Sequence, residues 1–272
     1  MTRLAPHALR AESLTLGYDG RTVIEKLDLE VPDGRITSIV GPNASGKSTL
    51  LRGLARLMRP ESGRVTLDGR DIRSYGPKEF ARRVAVLPQQ PVAPDGVLVA
   101  ELVARGRHPH RGWFGGRSSG DERVVAEVLE ATGTAELADR SVSELSGGQR
   151  QRVWIAMALA QRADIVLLDE PTSFLDVSHQ LELLDLLTES NREHGTTVVM
   201  VLHELNLAAR YADHLVVVDG GRIAAAGDPA DVMTAETVGA AFGLECVVAE
   251  DPVAGSPMIV PIGRFHRSSQ LG

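Results

Sequence analysis

The sequence predicts an α/β fold with a helical insertion, and three stretches carry that prediction. Ile36–Val40 is a short apolar run that enters Gly41, and Leu50, Leu51, Leu54, Leu57 and Met58 then recur at helical spacing up to Pro60. The same order returns at 165–168, an apolar run (IVLL) followed by a leucine-rich helix around 181–187. Between them, residues 97–160 are rich in Ala, Glu and Arg, with Val124, Val125, Val128 and Leu129 at helical spacing. Strand, glycine loop and helix make half of a βαβ unit, so the ends of the chain build an α/β core and the middle interrupts it.

The remaining elements follow in order. Leu27, Leu29 and Val31 alternate with charged residues, the pattern of a strand with one wet face, and Pro32-Asp33-Gly34 turns the chain. Further strands are expected at 196–202 and 215–218, the latter turning at Asp219-Gly220-Gly221 into 222–225. Pro252, Gly255, Pro257 and Pro261 predict a loosely packed tail after about 250.

Composition excludes several classes. With 43 % apolar and 24 % charged residues in 272, the chain has globular rather than disordered character. No apolar run approaches the ~20 residues of a membrane span. Positions 1–30 carry Arg3, Arg10, Glu12, Asp19 and Arg21 and lack the apolar core of a signal peptide. The lone Cys246 can form no internal disulfide and is expected as a filler. A net charge of −7 argues against a nucleic-acid or anionic-membrane binder. Of 29 basic residues only Lys26, Lys47 and Lys78 are lysine, which singles out each of them.

One of those lysines closes the segment Gly41-Pro42-Asn43-Ala44-Ser45-Gly46-Lys47-Ser48, which matches G-x-x-x-x-G-K-[ST]. Consecutive backbone N–H groups at a helix N-terminus wrap phosphates, Lys47 supplies charge to the outer ones, and the Ser48 hydroxyl can take a place on Mg²⁺. The apolar run at 165–168 ends in Asp169-Glu170. Asp169 at a strand tip can hold Mg²⁺ beside the phosphate loop, and Glu170 can act as general base on an attacking water. Leu145-Ser146-Gly147-Gly148-Gln149 opens a helix running to about Gln161. It reads equally as a capping box, Ser146 with Gln149, and as an anion site at the positive end of a helix.

In this order the segments resemble the ATP-binding subunit of ABC transporters over about residues 9–245. The resemblance implies a mostly parallel sheet with flanking helices, an N-terminal antiparallel β subdomain, a helical subdomain at about 97–160 and a tail at 246–272. It makes Leu145–Gln149 the family's signature, with Ser146, Gly147, Gly148 and Gln149 contacting ATP across a dimer. It assigns Tyr18 to adenine stacking and Gln89 to sensing the metal, with Gln90 an adjacent candidate. Asp176, in Ser173-Phe174-Leu175-Asp176, falls in the loop linking two nucleotide sites, and His203 matches the γ-phosphate histidine. The nucleotide set is then Tyr18, Gly41, Pro42, Asn43, Ala44, Ser45, Gly46, Lys47, Ser48, Thr49 and Gln89, with Ser48, Gln89 and Asp169 on Mg²⁺. Glu170 and His203 are the catalytic pair. The sequence departs from the family at Ala44, where glycine is usual and a backbone tolerant of a Cβ is expected, at Phe174, where a small residue is usual, and at Glu204, where aspartate is.

The resemblance implies a homodimer with two ATP molecules sandwiched at its interface, a separate integral membrane permease and, through it, a substrate-binding protein. No role for nucleic acid is expected, and the resemblance implies a peripheral location on the cytoplasmic face of a bacterial plasma membrane. The stretch Gly106-Arg107-His108-Pro109-His110-Arg111-Gly112-Trp113-Phe114 and the residues from Leu205 to Tyr211 are similar to the importer group for ferric siderophores, haem and vitamin B12, the siderophore members above all. His108 and His110 around one proline make a poor metal cage. The alternatives are a B12 or haem importer and a soluble ATPase of cluster assembly.

Overall fold

The computed structural model describes residues 7–112 and 118–263; Trp113 and Phe114 lie outside them. The chain begins with β1 (Leu9–Tyr18), β2 (Arg21–Val31), β3 (Ile36–Val40) and α1 (Lys47–Leu54). Next come β4 (Ser62–Leu67), β5 (Arg70–Asp71), α2 (Pro77–Arg83) and β6 (Val84–Leu87). Three helices follow, α3 (Val99–Arg105), α4 (Ser119–Ala131) and α5 (Gly147–Ala160). The core resumes with β7 (Ile165–Asp169), α6 (Val177–His194), β8 (Thr197–Val201), α7 (Leu205–Tyr211), β9 (His214–Asp219) and β10 (Arg222–Gly227). The chain closes with α8 (Pro229–Val232), α9 (Ala235–Phe242), β11 (Cys246–Glu250) and β12 (Pro257–Pro261).

A six-stranded sheet in the order β10-β9-β3-β8-β7-β6 is parallel except where β10 pairs β9. Every residue of β3, β7 and β8 is buried, which is why these strands read as unbroken apolar runs. Alternate residues face different cores. Ile165, Leu167, Val199 and Val201 pack with α1 and the antiparallel sheet β2-β1-β4-β5, whereas Val166, Leu168, Val198 and Met200 pack with the helical middle of the chain. The strand period of two thus sorts one sheet between two hydrophobic layers.

Two expectations require correction. The helix read as continuing towards Pro60 ends at Leu54. Arg56 takes φ 60°, its N–H bonds Gly53 O (3.1 Å), and Leu57 N–H bonds Arg52 O (2.9 Å). That is a Schellman closure with arginine in place of the usual glycine, so no glycine marked it, and Leu57 is left 59 % exposed. The tail is also not loose as far as Ile262: β11 and β12 form a five-pair antiparallel hairpin with Ile259 buried in the main core. Pro257 and Pro261 sit at the ends of β12, where a missing N–H is tolerated, so they bound a strand rather than break one.

Candidate active site

The parallel strands deliver their chemistry to one edge, because each passes its C-terminal end into a loop carrying a polar group. β3 leads into the glycine loop at 41–46, β6 to Gln89, β7 to Asp169 and Glu170, and β8 to His203. The neighbour order β3-β8-β7-β6, with Ile39 and Asp169 both opposite Val201, sets these loops side by side.

The loop is built by close packing. A Cβ on Gly41 would lie 2.0 Å from Val218 O, and one on Gly46, at φ 106°, would lie 2.7 Å from Ile24 Cδ1. Gly46 also occupies the N-cap of α1 without a side-chain cap, leaving the helix-start N–H groups to a ligand. Lys47 is buried and donates from Nζ to Gly41 O (2.9 Å) and Pro42 O (2.8 Å). Burial pulls its ammonium below the ordinary lysine value, opposed by Glu170 and Asp169. Ser45 Oγ is buried with no partner among the described residues, and Thr49 is buried on α1, while Asn43 and Ala44 are exposed.

Ala44 corrects the expectation of a tolerant backbone. It sits at φ 61°, in the left-handed region, where a Cβ costs about 1–2 kcal/mol. Ala44→Gly is therefore expected to stabilise the fold by about 1 kcal/mol, a rise of about 2–4 °C in calorimetric melting temperature. A fall would place the strain elsewhere.

Beside the loop, Ser48 Oγ donates to Asp169 Oδ1 at 2.8 Å. Asp169 is 1 % exposed; burial pushes its carboxyl up, against the Ser48 bond, and its Oδ2 has no partner among the described residues. Two adjacent hard oxygens, one buried and unsatisfied, fit a small divalent cation such as Mg²⁺. Glu170 follows in the left-handed region at φ 53°, with Oε1 2.7 Å from His203 Nε2 and Oε2 accepting from Ser173 Oγ at 3.2 Å. Burial alone would push its carboxyl up, yet hydrogen bonds from His203, Gln89 and Ser173 hold it below the ordinary glutamate value. Gln89 thus reaches the carboxylate, and Gln90 is exposed. Tyr18 ends β1 with its ring 43 % exposed, its hydroxyl accepting from Arg52 Nη1 at 3.2 Å. Ser173 and Arg52 were not singled out as site residues by their sequence; Ser173 lay inside the quoted loop, and Arg52 stands one helical turn after Ser48.

The signature packs against the loop that follows Glu170. Ser146 N–H donates to Gln149 Oε1 (3.1 Å) and Gln149 N–H to Ser146 Oγ (3.2 Å), so the capping box forms. A Cβ added at Gly147 or Gly148 would meet Phe174 and Leu175, not the phosphate loop. Ser146 and Gly147 are exposed, as is Phe174, at φ 67° and 78 % accessible. Asp176 caps α6, accepting from His179 N–H at 3.0 Å. His110 meets the carbonyl of Gln161 at 2.7 Å, a helix-end contact.

Comparison with known proteins is consistent with this geometry. A family profile described as ABC transporter matches residues 24–173. The ferric enterobactin transport ATP-binding protein FepC of Escherichia coli (strain K12) is 54 % identical over 261 residues, covering 96 % of each chain. A metal-chelate type ABC transporter in an inward-facing conformation superposes with TM-score 0.81 at 29 % identity, over 96 % of this chain and 99 % of the other. A dimeric post-hydrolysis state of the ATP-binding cassette MJ0796, bound to ADP and Pi, superposes with TM-score 0.73 at 28 % identity, over 81 % and 98 %.

Proposed function

The chain belongs to the ABC transporter family as an ATP-hydrolysing subunit, and from that premise we propose that it energises import of an iron(III)–siderophore complex through a separate membrane permease. The observation that carries hydrolysis is the Glu170 carboxylate, held deprotonated by His203 and Gln89 one residue from the Asp169–Ser48 pair. The cargo reading rests on the relative named for ferric enterobactin transport, identical at more than half its positions.

ATP occupies the glycine loop with its adenine on Tyr18, and Lys47 exchanges the Gly41 and Pro42 carbonyls for phosphate oxygens. Ser45 Oγ and the N–H groups of residues 46–49, at the start of α1, face the same phosphates. Glu170 takes a proton from the attacking water, oxygen bonds to the γ-phosphorus, and the bond to ADP breaks while His203 steadies the γ-phosphate. Mg²⁺, held by Ser48, Asp169 and Gln89, would neutralise charge on the phosphates. In its own chain the signature's glycines face Phe174 and Leu175 rather than the glycine loop, so Ser146, Gly147, Gly148 and Gln149 act on the nucleotide of a second copy, with the Asp176 loop between the two sites. The 97–160 segment moves with that closure and passes it to the permease, and a substrate-binding protein loads the far side. Among the described residues no helix is long and apolar enough to cross a membrane. The subunit's place in this reading is the cytoplasmic face, beside the permease.

The test is uptake of labelled iron–siderophore by cells whose only copy carries Lys47→Ala, with labelled vitamin B12 in parallel. Iron uptake is expected to vanish with B12 uptake unchanged. Loss of B12 uptake instead would move the cargo to corrinoids. Persistence of both would overturn the importer reading in favour of a soluble assembly ATPase.

A further inference from the structure

Helix α7 begins two residues after His203, so whatever holds α7 also holds the loop that presents the imidazole to Glu170. The terminal hairpin supplies much of that hold. The Asn206 amide makes a two-point bond to a single residue of β12, Nδ2 donating to Ile259 O (3.2 Å) and Oδ1 accepting Ile259 N–H (2.7 Å). One helical turn later, Arg210 donates from Nε (2.9 Å) and Nη2 (2.6 Å) to Oδ2 of Asp251, a residue 3 % exposed. The other oxygen of Asp251 takes the N–H groups of Val253 and Ala254, which shapes the hairpin's own turn. Between the two polar ties, Ala208 and Ala209 are buried in the same core as Ile259. A two-stranded hairpin alone is marginal in water, and among the described residues this one pairs with no other strand, so its order comes from α7 and the adjoining core.

We propose that the hairpin is a brace that positions His203 against Glu170 by holding α7, with Asn206 and Arg210 as its positioning residues. This rests on the reading of His203 and Glu170 as the hydrolytic pair. The hydrogen bonds of both side chains run to the hairpin and none to the glycine loop, so loosening the brace displaces His203 and leaves nucleotide binding by Lys47 and its neighbours in place. A misplacement of an ångström at a reacting centre costs up to about 10²-fold in rate, so a partial loosening of about tenfold is expected.

The measurement is steady-state ATP hydrolysis by the purified full-length chain, with single-turnover assays where rates are low. Asn206→Ala is expected to lower kcat about tenfold and leave KM for ATP within about twofold. Arg210→Met should act alike, and Arg210→Lys, which keeps one charged bond to Asp251, should recover most of the loss. The deciding comparison is the cycle with His203→Ala: if the brace acts through His203, Asn206→Ala costs nothing further in that background. An undiminished second loss, or an unchanged kcat in Asn206→Ala, overturns the brace alone. An unchanged kcat in His203→Ala itself overturns the reading of the pair, and the brace with it.

Discussion

Glu170→Gln is expected to bind ATP as tightly as the parent chain and to hydrolyse it about 10³-fold more slowly, within the range for losing a general base. The amide keeps the shape of the side chain and can still accept from His203, whose Nε2 lies 2.7 Å from Oε1. It cannot take a proton. Because Lys47, Ser48 and Asp169 are untouched, nucleotide binding followed by fluorescence should not change, and ATP-bound dimers should accumulate on size exclusion. In the parent chain, hydrogen bonds from His203, Gln89 and Ser173 hold the carboxyl below its ordinary value. Activity that depends on the free base therefore persists below the usual glutamate range and falls only as pH drops through that lowered pKa. A kcat within tenfold of the parent would remove Glu170 from the role.

Gly148→Asp should separate binding from hydrolysis in a different way. An added Cβ there lies 3.3 Å from Leu175 Cδ2 and 3.6 Å from Phe174 O, so a small shift of one methyl accommodates it. A carboxylate in the first turn of α5 suits the helix dipole, and the melting temperature should hold. The new charge would face the phosphates of the nucleotide held by the second copy. Each chain should still bind ATP, the ATP-dependent dimer should disappear, and hydrolysis should fall about 10²-fold or more. Hydrolysis at the parent rate would show that the signature does not complete its neighbour's site.

Much of the site was legible because its local chemistry leaves marks in the residues themselves. The glycine loop needs Gly41 and Gly46 where a Cβ would collide, and the strand before Asp169 is fully buried and therefore fully apolar. Tyr18, Gln89 and His203 carry no such mark. Each is a common residue in a loop or at a strand end, and only resemblance to a family nominates them. The geometry now brings Gln89 and His203 onto one carboxylate, a convergence across three strands that no local pattern encodes. The end of α1 was misread because Arg56 closes it from a left-handed conformation that arginine does not advertise. The hairpin was missed because its stability lies in Asn206, Arg210 and Ala208 on α7, some forty to fifty residues earlier in the chain.

The capping box at Ser146 narrows what natural variation or a protein engineer can place there. As a cap alone, the position would accept aspartate or asparagine nearly as well as serine, since each offers an oxygen to the Gln149 N–H. A serine hydroxyl, however, accepts that bond and still has its own proton to give. If it also serves the nucleotide of a second copy, aspartate would keep the helix start intact yet confront the phosphates with a like charge. Asparagine could offer an N–H, but from an atom displaced from the hydroxyl. Sequence drift that is silent for folding at this residue would thus be audible only in the assembled pair, where two requirements on one oxygen meet.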